Sequence, residues 1–114
     1  MDYPENSATS KQVAMAALTA AKPPDVIFCM GDLILIGVMK AIHELDLKVP
    51  ADIAVIGISN GFIPAMYKPV VTYVETSGFK LGKLAFAQML TCLKNGPSRD
   101  EVFLESILVE GGSL

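Results

Sequence analysis

An α/β fold with a parallel sheet layered between helices, a three-layer sandwich, is what this sequence predicts, and three observations predict it. Two short apolar runs, Val26 to Met30 and Ala54 to Ile58, flank a longer segment of helical spacing, which is a β-α-β unit. Both runs are rich in Val and Ile and lack polar alternation, the pattern of strands covered on both faces. Both end in turn chemistry, Gly31-Asp32 after the first and Ser59-Asn60-Gly61 after the second. Small polar groups therefore gather at the carboxyl edge of the sheet, where open α/β folds hold ligands.

The remaining elements follow in order. Ser7, Thr9 or Ser10 can cap a first helix running to about Ala21, with Val13, Ala14, Ala17 and Leu18 facing inward. Lys22-Pro23-Pro24 stops it. After the first strand, Asp32 stands at the N-cap position of a helix from Leu33 to Leu45. That helix is apolar nearly all round in its first half, LILIGVM, so it is expected to be buried on two sides, with Ile36 and Met39 on a face turned to another subunit. Phe62 to Tyr67 reads as one helical turn or a loop, ended by Lys68-Pro69. Val70 to Val74 is the third strand, and Ser77 caps a helix from about Gly78 to Leu93. The broad apolar face of that helix, Phe79, Leu81, Leu84, Ala85, Met89, Leu90 and Leu93, is expected to join the core. Asn95-Gly96-Pro97 terminates it, Val102 to Val109 forms the last strand, and Gly111-Gly112-Ser113 frays.

Composition narrows the function. One domain of 114 residues is large enough to bury a core, and 52% hydrophobic residues with a mean hydropathy of +0.47 suggest apolar surface meant for a partner. A net charge of -3, with nine scattered Lys and Arg, is not the footprint of a nucleic-acid surface. The apolar stretch Val26 to Met39 is interrupted by Asp32 and is shorter than the ~18–20 residues of a membrane span, so no membrane association is expected. MDYPENSATSK shows no secretory signal, and Cys29 and Cys92 lack any framework spacing; a cytoplasmic protein with two buried free thiols is the expectation.

Catalytic motifs fail on inspection. Gly57-Ile58-Ser59-Asn60-Gly61 is a literal G-x-S-x-G after a strand, which would make Ser59 a nucleophile. A hydrolase of that type needs a base histidine downstream, and the chain's one histidine, His43, lies upstream. No dinucleotide or P-loop glycine pattern occurs, one His and two separated Cys cannot build a zinc site, and no cofactor or metal is expected. Asp32, Glu75 and Glu105 read as a cap or surface charges, except that Asp32 can also accept a hydrogen bond from a ligand hydroxyl.

PDVIFCMGDLILIGVMKAIHELDLKVPADIAVIGISN resembles the C-terminal part of the LacI/GalR family of bacterial transcription regulators, whose pattern runs approximately P-D-A-I-F-x-x-N-D-x-x-A-x-G, then V-P-x-D-[IV]-x-[VI]-[VI]-G-[FY]-D-[DN]. The likeness continues through Pro69-Val70-Val71-Thr72-Tyr73-Val74, similar to P-x-L-T-T-[VI], and Phe79-Lys80-Leu81-Gly82, similar to [YF]-E-M-G. Asp2-Tyr3 resembles the end of the strand before the first helix. The resemblance implies a periplasmic-binding-protein-like two-lobed sensor, here its C-terminal part only: about residues 2–70 in the C-terminal lobe, 71–95 crossing towards the N-terminal lobe, and 101–110 a returning strand. It implies a non-enzymatic effector-binding and dimerisation module, with DNA reached only through a helix-turn-helix that this chain does not contain.

By that resemblance Gly31, Asp32, Ser59 and Asn60 line the small-molecule site, and Ile36, Met39, Met66 and Tyr67 lie in a homodimer interface. Two departures stand out. The family's Asn closing the first strand is Gly31, and the Asp closing the second is Ser59, each a polar contact typically worth ~1–3 kcal/mol. Their loss argues against an ordinary sugar effector, and the missing Asp argues against a purine. A fragment of a periplasmic-type solute-binding protein is the alternative reading.

Overall fold

The computed structural model describes residues 6–114. The expectation for Asp2-Tyr3 lies outside them. The elements are α1 (Ser7–Leu18), β1 (Val26–Cys29), α2 (Asp32–Glu44), β2 (Ala54–Ser59), a single 3-10 turn (Pro64–Met66), β3 (Thr72–Glu75), α3 (Gly78–Asn95) and β4 (Leu108–Val109). They form one four-stranded sheet in the order β1-β2-β3-β4. β1, β2 and β3 are mutually parallel, with Cys29 beside Gly57 and Ser59 beside Glu75.

The fold class is α/β as expected, and the β-α-β unit is formed within a residue of its expected bounds. The sheet is nonetheless mixed, because β4 runs antiparallel to β3. The expected strand over 102–109 contracts to two residues. β3 offers only four residues before the chain turns into α3, so Tyr73 and Val74 pair with Val109 and Leu108, and the Glu75 N–H donates to the Ile107 carbonyl at 2.7 Å. Nothing beyond Glu75 remains for residues 102–106 to pair with.

The core lies between the sheet and α2. Leu35, Val38, Ala41 and Ile42 of α2 pack with Cys29 and Val55 of the sheet, Ile53, Val71, and Ala14 of α1. α1 crosses α2 at Gly37, where a side chain would strike the Ser7 carbonyl and come within 2.7 Å of Ser10 Cβ and 2.8 Å of the Lys11 nitrogen. The residues of α1 that meet α2 are thus Ser7, Ser10, Lys11 and Ala14, at helical spacing. Val13, expected inside, falls one position off this stripe and is 65% exposed. α1 is capped by Asn6, whose side chain accepts from the Thr9 N–H at 2.7 Å, rather than by Ser7, Thr9 or Ser10. It stops at Leu18 rather than Ala21, where the Thr19 hydroxyl donates to the Met15 carbonyl at 2.7 Å.

Three expectations about burial are corrected. The strands are not covered on both faces: α2 covers one, while Val26 and Phe28, which alternate onto the other, are each 51% exposed. α3 is capped by Ser77 as expected, whose hydroxyl accepts from the Lys80 N–H at 3.2 Å, yet none of its residues is buried. Most of its apolar face stays exposed, including Phe79, Leu81, Met89 and Leu93. The C-terminal Gly111-Gly112-Ser113 does not fray; Ser113 is wholly buried between β2 and β3.

Candidate functional site

Parallel pairing of β1 with β2 brings their carboxyl ends to one edge, so Gly31-Asp32 and Ser59-Asn60 come together there. Gly31, not Asp32, is the N-cap of α2, and its carbonyl accepts from the Leu35 N–H at 3.0 Å. The Gly31 backbone is extended, a conformation open to any residue, and a side chain there would meet nothing within 4 Å. The position therefore faces open space.

Asp32 is the first residue of α2, and its Oδ1 is buried without a hydrogen-bond partner. The positive end of the helix favours the carboxylate there, but a buried acceptor oxygen left unpaired is unusual in a folded protein. Ser59 is 3% exposed and its hydroxyl accepts from the Gly61 N–H at 3.1 Å, while its carbonyl accepts from the Thr76 N–H at 2.9 Å. Asn60 is exposed, and its side-chain carbonyl accepts from the Phe62 N–H at 3.0 Å. Ser59 and Asn60 thus shape the loop after β2 as much as they line it.

Tyr73 is a residue of this edge that the sequence reading missed. Gly61 takes a φ of +96°, and a side chain there would run into the Tyr73 phenol from β3. The loop after β2 rests on that ring. The available signal was Tyr73 itself, where the regulator pattern carries Thr.

The opposite edge has another character. α2 runs back across the sheet, so His43, eleven residues after Asp32, lies about 16 Å further along the helix axis. A hydrolase pairing of Ser59 with His43 is excluded by that separation and by the burial of Ser59. His43 instead lines a cleft of about 470 Å³ with Met39, Ile42, Leu47, Val49 and Tyr67. Met39 and Tyr67, two of the four expected interface residues, meet in this cleft; Ile36 is half-buried and Met66 is 62% exposed. Burial, and secondarily the neighbouring Cys29 thiol, push the Tyr67 phenol above its ordinary value. Burial raises the Cys29 thiol to about 12, so it is an inert core group.

A second cleft, about 530 Å³, opens between the end of β3, the start of α3 and residues 102–106. It brings Glu75 and Glu105 together, but Glu75 is held by Lys80 at 2.9 Å. Among the described residues no group of three or more His, Cys, Asp or Glu could hold a metal ion, and no helix is long and apolar enough to cross a membrane.

Comparison with known proteins agrees with this architecture. The HTH-type transcriptional repressor PurR of Yersinia enterocolitica is 38% identical over 73 residues, which cover 64% of this chain and 21% of the repressor. A LacI family transcriptional regulator from Arthrobacter sp. FB24, solved in complex with lactose, superposes with a TM-score of 0.84 at 25% identity over 96% of this chain and 41% of its own. The dimeric Lac repressor with an 11-residue C-terminal deletion gives 0.84 at 24% identity, over 95% and 40%. The chain thus spans about a fifth of the curated relatives it matches. A profile of the periplasmic binding protein-like domain matches residues 2–114, and the chain belongs to that family, corresponding to the C-terminal part of the domain as LacI-type regulators carry it.

Proposed function

We propose that this chain is the ligand-sensing and dimerisation part of a bacterial LacI-type transcription regulator, working in the cytoplasm and performing no catalysis. In this reading residues 2–70 belong to the C-terminal lobe, 71–95 cross to the N-terminal lobe, and the last strand returns. The observation that carries the ligand site is the unpaired, buried Oδ1 of Asp32, at the edge where two parallel strands end. Asp32 accepts a hydrogen bond from the effector, and Gly31, Ser59 and Asn60 form the rim. The effector is a small molecule that closes the two lobes, a population shift relayed to a DNA-binding helix-turn-helix outside these residues.

α2 and the segment before β3 serve the homodimer. Ile36, Met39, Met66 and Tyr67 are partly or largely exposed and apolar in character, and Met39 and Tyr67 share a cleft. Sedimentation velocity tests this part: a dimer is expected, shifted to monomer by Tyr67→Asp or Ile36→Asp, and a monomeric wild type contradicts it. Isothermal titration against sugars, sugar acids and nucleobases tests the ligand part. With one lobe represented only by its crossover, binding weaker than micromolar is expected, and micromolar binding overturns that expectation. A solute-binding protein with the same lobes is the second reading, favoured only by the shared domain family. The parental reading frame separates the two, since a regulator carries a helix-turn-helix upstream and an exported binding protein carries a signal peptide.

A further inference from the structure

The C-terminal Gly111–Ser113 segment bridges a gap between β2 and β3. The Ser113 hydroxyl donates to the Val55 carbonyl at 2.5 Å and accepts from the Thr72 N–H at 2.8 Å. The Ser113 carbonyl accepts from the Val55 N–H at 2.9 Å. Gly112 donates its N–H to the Val70 carbonyl at 2.8 Å, and Gly111 donates its own to the Thr72 hydroxyl at 2.9 Å. One serine therefore stands in for a strand residue, satisfying polar backbone groups on both neighbours. The seat is shaped for glycine: a side chain at 111 would strike the Val70 carbonyl, and one at 112 would come within 2.7 Å of Pro69 Cβ.

What holds this segment is almost wholly polar. Leu114 is exposed, residues 97–107 have no regular structure and no buried residue, and β4 contributes two paired residues. The arm formed by α3 and residues 96–107 is joined to the sheet by two crossings, Glu75–Gly78 outward and Ile107–Val109 on return. The first is continuous with β3. The second depends on β4 and the Ser113 seat.

We propose that Gly111–Ser113 is a release latch. Seated, it fixes the returning crossing so that the arm is held to the sheet at two points. Unseated, it frees residues 96–114 as a unit, water takes over the polar groups of Val55 and Thr72, and α1 through β3 stay folded. Such an opening is local because the segment carries few apolar contacts whose loss would spread to the core. The latch is independent of whether the chain binds a ligand or reaches DNA.

Amide hydrogen exchange followed residue by residue on the intact chain tests it, with Ser113→Ala and Gly111→Ala. Ser113→Ala is expected to speed exchange about tenfold or more at Thr72, which loses its acceptor, and equally at Glu75, whose N–H is held by Ile107 away from the substitution. Leu35, inside α2, keeps its wild-type rate. Gly111→Ala leaves the serine hydroxyl in place but expels the segment, so it is expected to reproduce the effect at Glu75. A change confined to Thr72 reduces Ser113 to a local hydrogen bond and overturns the latch. Loss of protection at Leu35 in both variants makes the segment part of the global fold and overturns it as well. Ser106→Ala, on the same returning segment but away from the seat, is expected to leave Glu75 unchanged; equal acceleration there contradicts a latch at 111–113.

Discussion

Residues from Ser7 to Glu75 and residues from Thr76 to Ile107 treat their apolar side chains in opposite ways. In the first stretch α1, α2 and the three parallel strands enclose Leu35, Ile42, Ile53, Val55 and Val71 almost completely. In the second, α3 is the longest helix described, with a clear apolar side, yet none of its residues is fully buried; Phe79 is 77% exposed and Leu93 75%. The two regions look alike as patterns. What separates them is whether a complementary surface lies among the described residues. An amphipathic helix states which side wants covering, and the cover has to come from elsewhere.

The largest expected effect that sharpens this contrast is at glycine. Gly37→Val forces a branched side chain into the backbone of α1 at the helix crossing, and is expected to cost about 3 kcal/mol or more, read as a loss of the cooperative urea transition. Gly82→Ala in α3 meets nothing within 4 Å and is expected to leave that transition in place, with α3 gaining up to ~1 kcal/mol of helix propensity. Equal destabilisation by both would erase the distinction.

Leucine truncations come next. Leu35→Ala removes a 1% exposed side chain and is expected to cost ~2–5 kcal/mol in chemical unfolding, whereas Leu93→Ala stays within ~0.5 kcal/mol.

The two thiols give a third comparison. Cys92, half-buried on α3, is expected to react with a disulfide reagent in the native state, while Cys29 reacts only on unfolding. The Cys29 thiol is raised from 9.0 to about 12, so its neutral form is favoured by folding. That contribution is complete below the unfolded value near 9 and is lost as pH rises towards 12, with a slope approaching ~1.4 kcal/mol per pH unit, absent in Cys29→Ala. The smallest effect is Lys11→Ala, which breaks a partly exposed ion pair with Glu44 across the α1–α2 contact and is expected to cost ~1 kcal/mol or less in the same unfolding experiment.

The central β-α-β unit was legible because its signals are local: Val- and Ile-rich runs, and turn residues at Gly31 and Ser59 that parallel topology must bring to one edge. The resemblance to LacI-type regulators was legible for the same stretch. The Asp32 position was misread by one residue, since Gly31 has no side chain to advertise itself as a cap. The C-terminal segment was misread altogether. Gly111-Gly112-Ser113 has the composition of a frayed end, and its bonds reach back 41 residues to Thr72 and 58 to Val55, a separation with no local signature. Tyr73 under the Gly61 loop belongs to the same class of contact. The face of α3 was read correctly and its fate was not, because burial belongs to a pair of surfaces and only one of them is written in these residues.

Limited trypsin proteolysis followed by intact mass tests most directly the claim that a self-sufficient body carries the edge where β1 and β2 end while the arm is left uncovered. Cleavage after Lys80, Lys83, Lys94 or Arg99 is expected well before any cut at Lys40 within α2, with the C-terminal piece staying bound to the nicked body through Ser113. Cleavage at Lys40 as fast as in the arm would contradict it.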